Sequence, residues 1–220
     1  MTARRLERVE SRLAQRQPDL TVLLDGVHKP HNVAAIIRSC DAVGVMQAHV
    51  IPPEEGLRVP KLPAQGTRKW VSLVRHRCLA DGLAAVRAAG CRLVAAHLDP
   101  AARDFREIDY TRPTAFVMGT EHAGVSAEAL AACDDIAIIP MHGMVESLNV
   151  SVAAALLLFE AQRQRQAAGT YAERRIPDED YVRLRFEWLH PQLARRYRER
   201  GEPYPAVDED GDIVPPKYGR

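Results

Sequence analysis

What most constrains the fold of this chain is a rhythm along its middle. Leu20 to Asp25, Ala48 to Ile51, Val71 to Val74, Arg92 to Ala96, Ala115 to Met118 and Ile136 to Ile139 are short apolar runs bounded by polar residues, Gly or Pro. Continuous apolar runs of this length, without strict alternation, predict strands buried on both faces. Between them lie helical stripes: Val33, Ile36, Ile37 and Cys40 repeat at i, i+3, i+4, i+7, and Leu79, Leu83 and Val86 form a second stripe before Gly90. Strand, helix and strand in alternation predict an α/β fold with a mostly parallel sheet and helices on both faces.

The ends read differently from this body. Residues 1–17 form an Arg-rich helical pattern, residues 18–166 the α/β domain, and residues 167–220 a second helical extension with a Pro/Gly/Asp-rich tail. Neither end is expected to bury a core alone. The segment from Val150 to Phe159 is apolar on almost every side and then turns polar at Glu160-Ala161-Gln162-Arg163. A helix of that kind calls for cover all round, from its own sheet and from a second subunit.

Charge is divided along the same lines. The net charge of +1 conceals five Arg against two acidic residues over 1–17 and ten against six over 161–200, with acidic excesses elsewhere. Basic flanks around a near-neutral body suit a polyanion held from the periphery, and equally suit solvated amphipathic helices. No apolar run is long enough to span a bilayer and the N-terminus lacks an apolar core of the secretory kind, so a cytoplasmic, non-membrane protein is expected. Cys40, Cys78, Cys91 and Cys133 are widely spaced and predict reduced, mostly buried thiols.

Familiar site signatures are missing. The chain has neither GxGxxG after a strand nor GxxxxGK[ST], which argues against a dinucleotide fold and a P-loop. His28 and His31 form a bare HxxH without a neighbouring ligand, so no metal is expected, and Ser126 and Ser147 sit in no nucleophile elbow. Polar groups gather instead in three segments after apolar runs, where open α/β sheets place their ligands. These are His31 to Arg38, with Asn32 opening a helix and Arg38 off its apolar stripe; Val117 to Gly124, with two glycines around Glu121; and Ile138 to Ser151, containing Ser147 and Asn149. Caps, a tight loop and a solvated Arg would explain the same residues.

Together the segments read NxxxxxR at 32–38, MGxExxG at 118–124 and IPMxGxxxSLNVSVA at 139–153. In this the chain resembles the SPOUT methyltransferase superfamily, and within it the TrmH (SpoU) tRNA guanosine 2'-O-methyltransferases. HKPHN at 28–32, DFREIDYTRPT at 104–114 and EAQRQRQ at 160–166 extend the likeness over most of the chain. His122 stands at a variable motif position, and the residues after Arg200 follow no pattern of the family.

The resemblance implies a deep C-terminal trefoil knot, a homodimer and S-adenosyl-L-methionine as cofactor, held by Ala96, His97, Leu98, Gly119, Ile139, Met141 and Leu148. It also implies 2'-O-methylation of a guanosine in tRNA, at position 18 of the D-loop, with Arg38 central to catalysis. Asn32 and Glu121 would shape its surroundings, and Ser147 and Asn149 would position Arg38 or the substrate. Because a guanidinium scarcely loses its proton in a protein, Arg38 is better suited to grip an RNA phosphate and stabilise a developing alkoxide than to act as a base. Arg8, Arg12, Arg16, Arg163 and Arg165 are then expected to meet tRNA phosphates. The alternatives are a SPOUT enzyme acting on rRNA or another tRNA position, and a non-catalytic RNA-binding protein of the same fold.

Overall fold

The structure is a computed structural model that describes residues 2–52, 69–120 and 123–214. It divides into two compact units, Gln17–Thr170 and a second built from Met1–Arg16 with Tyr171–Arg220. The two ends, expected as separate extensions, thus belong to one unit.

Among its described residues the larger unit holds seven strands: β1 (Leu20–Asp25), β2 (Gln47–Ile51), β3 (Ser72–Arg75), β4 (Arg92–Ala96), β5 (Arg103–Asp104), β6 (Thr114–Met118) and β7 (Asp135–Ile138). They lie in the order β3-β2-β1-β6-β4-β7-β5, and every named pair is parallel. Leu20 faces Thr114 and Arg92 faces Thr114 across the two central pairings, so the strand starts align. The late strands are interleaved with earlier ones: β6 lies between β1 and β4, and β7 between β4 and β5. The expected α/β class and parallel sheet are found, with the two-residue β5 added at one edge.

The helices α2 (Pro30–Ala42), α3 (Leu79–Ala88), α4 (Ala127–Ala131) and α5 (Val150–Ala167) cover this sheet. Side-chain alternation sends Leu20, Val22, Leu24, Phe116 and Met118 to one face, where they pack with Ile36 and Cys40 of α2 and Ala154, Leu157 and Ala161 of α5. Leu23, Ala115, Val117 and Leu93 point the other way, against Val86 of α3 and Ala129 of α4. Cys40 and Cys91 are buried as expected, Cys133 is half-buried, and Cys78 is exposed.

The helix α5 is covered by its own sheet on one side. Its apolar circumference is split into two stripes at helical spacing: Ala154, Leu158, Ala161 and Arg165 are buried in the unit, while Val152, Leu156 and Phe159 are exposed. Cover within the chain is therefore one-sided.

The smaller unit contains α1 (Ala3–Ala14), α6 (Asp178–Leu189) and α7 (Pro191–Arg200). Val9 and Leu13 of α1, Ile176 before α6, Phe186, Trp188 and Leu189 of α6, and Ala194 of α7 are buried apolar residues of this unit. Arginines tie it together. Arg5 donates to the Trp188 carbonyl (3.1 Å) at the end of α6, and Arg185 donates to Glu10 (2.8 Å) and to the Asp208 carbonyl (2.9 Å). The tail, unplaced by sequence pattern, folds back here: Tyr204 stacks on Phe186 with ring centroids 4.7 Å apart, and Val207 bridges Ile213.

Candidate active site

Because all strands run the same way, the residues following β1, β4, β6 and β7 emerge along one edge of the sheet. His97 and Leu98 follow β4, Gly119 follows β6, and Ile139 follows β7, so three neighbouring strands deliver the expected cofactor residues side by side. The His97 N–H donates to the Ala137 carbonyl (3.2 Å), which ties the β4 exit to β7. Gly119 is buried, Ala96, His97, Ile139, Met141 and Leu148 are half-buried, and Leu98 is 68% exposed. The set is mainly apolar side chains together with backbone, which suits a nucleoside-like ligand without phosphates.

The turn after β6 depends on its two glycines. Thr120 and Gly124 exchange backbone hydrogen bonds of 2.8 and 3.0 Å, which closes the chain so tightly that a Cβ on Gly119 would lie 1.9 Å from the Gly124 carbonyl oxygen. Gly124 itself has φ +69, and a Cβ there would meet the His97 ring at 2.8 Å. Glu121 and His122, within this turn, lie outside the described residues.

The turn is anchored from β1 by a group that sequence reasoning missed. Asp25, at the end of β1, accepts a hydrogen bond from the Ser126 N–H (2.9 Å), and the Ser126 hydroxyl caps α4 by accepting from Ala129 N–H (3.3 Å). Sequence reading placed Ser126 in no nucleophile elbow and gave it no other role, and its partner lies 101 residues away.

The first and third motifs meet directly. Asn149 caps α5, its Oδ1 accepting from the Ser151 N–H (2.8 Å) and the Ser151 hydroxyl (2.6 Å). Its carboxamide nitrogen donates to Oδ1 of Asn32 (3.1 Å), which lies in the first turn of α2 and is 2% exposed. Arg38, in the last half of the same helix, is exposed, as is Ser147 in the loop before α5. His28 and His31 are also exposed, and no group of His, Cys, Asp and Glu able to hold a metal occurs among the described residues.

Two of the expected phosphate contacts are corrected by burial. Arg165 is 0% exposed and its guanidinium is fully engaged inside the unit, pairing with Asp19 Oδ1 (2.6 Å) and donating to the carbonyls of Tyr110 (2.9 Å) and Arg112 (2.9 Å) and to Gln17 (3.1 Å). Two positions from Arg163, it lies on the opposite side of α5 and continues the buried stripe. Arg16 is 3% exposed, with its guanidinium 4.8 Å from the Trp188 ring centroid. The four-residue spacing from Arg8 and Arg12 carries no meaning there, since α1 ends at Ala14. Arg8 and Arg12 are exposed, and exposed Arg163 grips Glu160 through two bonds of 2.8 and 2.9 Å, which hold that carboxyl below its usual range.

An open parallel sheet with a glycine-locked turn, an apolar ledge and paired asparagines at one strand edge is an α/β fold whose candidate site lies where such sheets bind their ligands. Residues 19–159 match the SpoU rRNA Methylase family and residues 163–216 the SpoU rRNA methylase C-terminal family, and the chain belongs to the SpoU methylases. It is 49% identical over 215 residues to the tRNA (guanosine(18)-2'-O)-methyltransferase of Escherichia coli, covering 97% of this chain and 94% of that protein. Among solved structures, the TrmH/SpoU tRNA modifying enzyme of A. aeolicus is 35% identical with a TM-score of 0.75, over 91% of this chain and 98% of that one. An AdoMet-bound rRNA methyltransferase from Sinorhizobium meliloti is 32% identical with a TM-score of 0.59, over 70% of this chain and 59% of that one.

Proposed function

We propose that this chain methylates the 2'-hydroxyl of guanosine 18 in the tRNA D-loop, using S-adenosyl-L-methionine. The observation that carries the reading is the 49% identity that spans nearly the whole of both this chain and a tRNA (guanosine(18)-2'-O)-methyltransferase. Family membership alone would suit rRNA equally well.

The residues at the strand edge fit that cofactor. Ile139, Met141 and Leu148 offer apolar walls, and the backbone around Gly119 and His97 offers hydrogen-bonding groups to an adenine. When bound, the cofactor supplies an electrophilic methyl on a sulfonium. The protein's part is to hold the ribose hydroxyl in line and ease the loss of its proton. Arg38 grips the neighbouring RNA phosphate and stabilises the developing alkoxide, its planar fork allowing both at once. Asn32 and, by its motif position, Glu121 shape the surroundings of Arg38, and Ser147 and Asn149 position Arg38 or the substrate.

The interleaving of β6 and β7 supports a C-terminal trefoil knot, and the exposed Val152, Leu156 and Phe159 support a homodimer that covers the second stripe of α5. Arg8, Arg12 and Arg163 meet tRNA phosphates, and the work is cytoplasmic, where tRNA matures. Incubation with labelled cofactor and unmodified tRNA, followed by mapping of the modified nucleotide, tests the reading. Methyl at guanosine 18 is expected; label only in rRNA or at another tRNA position overturns it. Leu156→Glu should yield monomers by sedimentation with parallel loss of activity, and an unchanged oligomer would refute the assigned interface.

A further inference from the structure

The turn after β6 is flanked on both sides, because β6 lies between β1 and β4 in the sheet. From the β4 side the contact is packing, with the His97 ring set against Gly124. From the β1 side it is polar. Gly26, which follows β1, runs beside the turn, where a Cβ would lie 3.4 Å from Thr120 Cγ2, and the Asp25 carboxylate accepts from the Ser126 N–H (2.9 Å). The backbone bonds exchanged by Thr120 and Gly124 shape the turn without tying its outgoing limb to a strand. Burial of Val125 beside Leu23 and Val117 keeps that limb near the sheet, but apolar packing has no direction. Among the described residues, the bond to Asp25 is the one hydrogen bond that joins Val125 or Ser126 to a strand. Where the limb runs matters to Gly119, since the Gly124 carbonyl oxygen lies 1.9 Å from where a Gly119 Cβ would stand.

We propose that Asp25 is a positioning residue for S-adenosyl-L-methionine: by holding the Ser126 N–H it keeps the outgoing limb seated over Gly119, so the cofactor face of the turn is formed before the cofactor arrives. The proposal rests on the reading of Gly119 and His97 as cofactor residues. Asp25 serves as an acceptor, and because a single oxygen meets the N–H, a carboxamide oxygen meets the same need. Ser126 is exposed, so water satisfies its N–H when Asp25 is removed, and what is lost is a fixed geometry and not a buried partner. Without the clamp the seated turn is one arrangement among several, and the apparent affinity falls by the fraction of molecules that hold it.

Calorimetry with S-adenosyl-L-methionine on the full-length protein, free of tRNA and normalised to the folded fraction, tests it. Asp25→Ala should weaken binding about fivefold or more, as when the seated turn falls to roughly a fifth of the molecules, while Asp25→Asn stays within about twofold of wild type. Ser126→Ala removes the α4 cap but keeps the N–H, so it too should stay within about twofold. Amide signals of 15N-labelled protein read the clamp without cofactor: the Ser126 amide proton should exchange faster in Asp25→Ala and regain protection in Asp25→Asn, with the Gly119 and Gly124 signals displaced in the first and restored in the second. Wild-type affinity, or wild-type Gly119 and Gly124 signals, in Asp25→Ala overturns the proposal. Equal losses in Asp25→Ala and Asp25→Asn overturn it by making the charge the working part, and a loss in Ser126→Ala as large as that in Asp25→Ala does so by making it the helix cap. A wild-type protein that takes up no S-adenosyl-L-methionine would instead sink the cofactor reading, and the clamp's role with it.

Discussion

The two ends of the central strands are both polar and yet opposite in design. At the N-terminal ends, Arg165 reaches from the last turn of α5 into a closed nest of Asp19, Gln17 and the carbonyls of Tyr110 and Arg112. At the C-terminal ends, Ser147 is exposed and Leu98 lies largely in solvent, and Arg38 is exposed on α2, the helix that starts there. A single helix serves both, capped by Asn149 at the site and anchored by Arg165 at the far end. The contrast teaches that an arginine's partners, and not its place in a basic segment, decide whether it builds the fold or is left for a ligand.

The largest expected break of this contrast is at the closed end. Arg165→Ala strips the half-buried Asp19 carboxylate and several carbonyls of their donor, which should cost roughly 3–5 kcal/mol, the range for breaking a pair with a buried member from one side. Denaturant unfolding measures it; a loss under about 1 kcal/mol would mean that the nest is not the anchor described. At the open end the pattern should reverse. Arg38→Ala should leave stability within about 0.5 kcal/mol, as for exposed positions. Its single-turnover rate should fall by roughly 10²–10³, the scale for losing one donor to a developing oxyanion. Arg38→Lys should not restore it, because a point charge lacks the planar fork.

The sequence made these ends unequally legible. Buried parallel strands announce themselves as apolar runs, so β1, β4 and β6 were placed almost to the residue, whereas β5 is Arg103–Asp104 and has no apolar signal to give. The three polar segments were readable as strand-edge clusters, and likeness to a family gave them roles. Asn32 meeting Asn149 across 117 residues, and Asp25 meeting Ser126, are products of topology that no local pattern encodes. Burial of Arg165 was readable in principle from the stripe it shares with Ala154, Leu158 and Ala161; counting arginines in EAQRQRQ concealed it. Union of the two termini was beyond reach because neither the Val9–Leu13 stripe nor Phe186, Trp188 and Leu189 suggests its partner.

A smaller effect sharpens the comparison by pH, away from both ends. His49 is buried beside β3, its Nδ1 2.8 Å from Nε2 of His76 with the rings stacked. Burial first, and the neighbouring imidazole second, push its pKa down from 6.5 to about 4. A depressed histidine takes up its proton later in the folded state than in the unfolded chain. Stability contributed by neutral His49 is therefore full above pH 6.5 and is lost as pH falls from 6.5 toward 4. Melting temperature followed from pH 7.5 to 4.5 should decline in that window, and the decline should flatten in His49→Gln. Equal slopes in the two proteins would remove His49 from the account.

The smallest expected effects fall on the arginines that neither end claims. Arg8 and Arg12 are exposed on α1 and Arg163 is exposed on α5, each free of the burial that removed Arg16 and Arg165 from the phosphate-binding set. If each of the three meets one phosphate, together they contribute roughly −2 to −3 to the log-log salt slope of tRNA binding, at about 0.7 to 0.9 per contact. Each single Arg→Ala change should reduce the slope by a little under one unit and leave cofactor affinity alone. Arg163 is the most informative of them, because its bidentate grip on Glu160 must loosen or be shared before it can hold a phosphate, so its increment should be the smallest. Arg165→Met supplies the control on the same helix: a buried arginine carries no phosphate, so the slope per folded molecule should be that of the wild type. Filter binding across a salt series, normalised to the folded fraction, reads all four, and a slope change for Arg165→Met as large as that for Arg8→Ala would erase the distinction between arginines of the fold and arginines of the ligand.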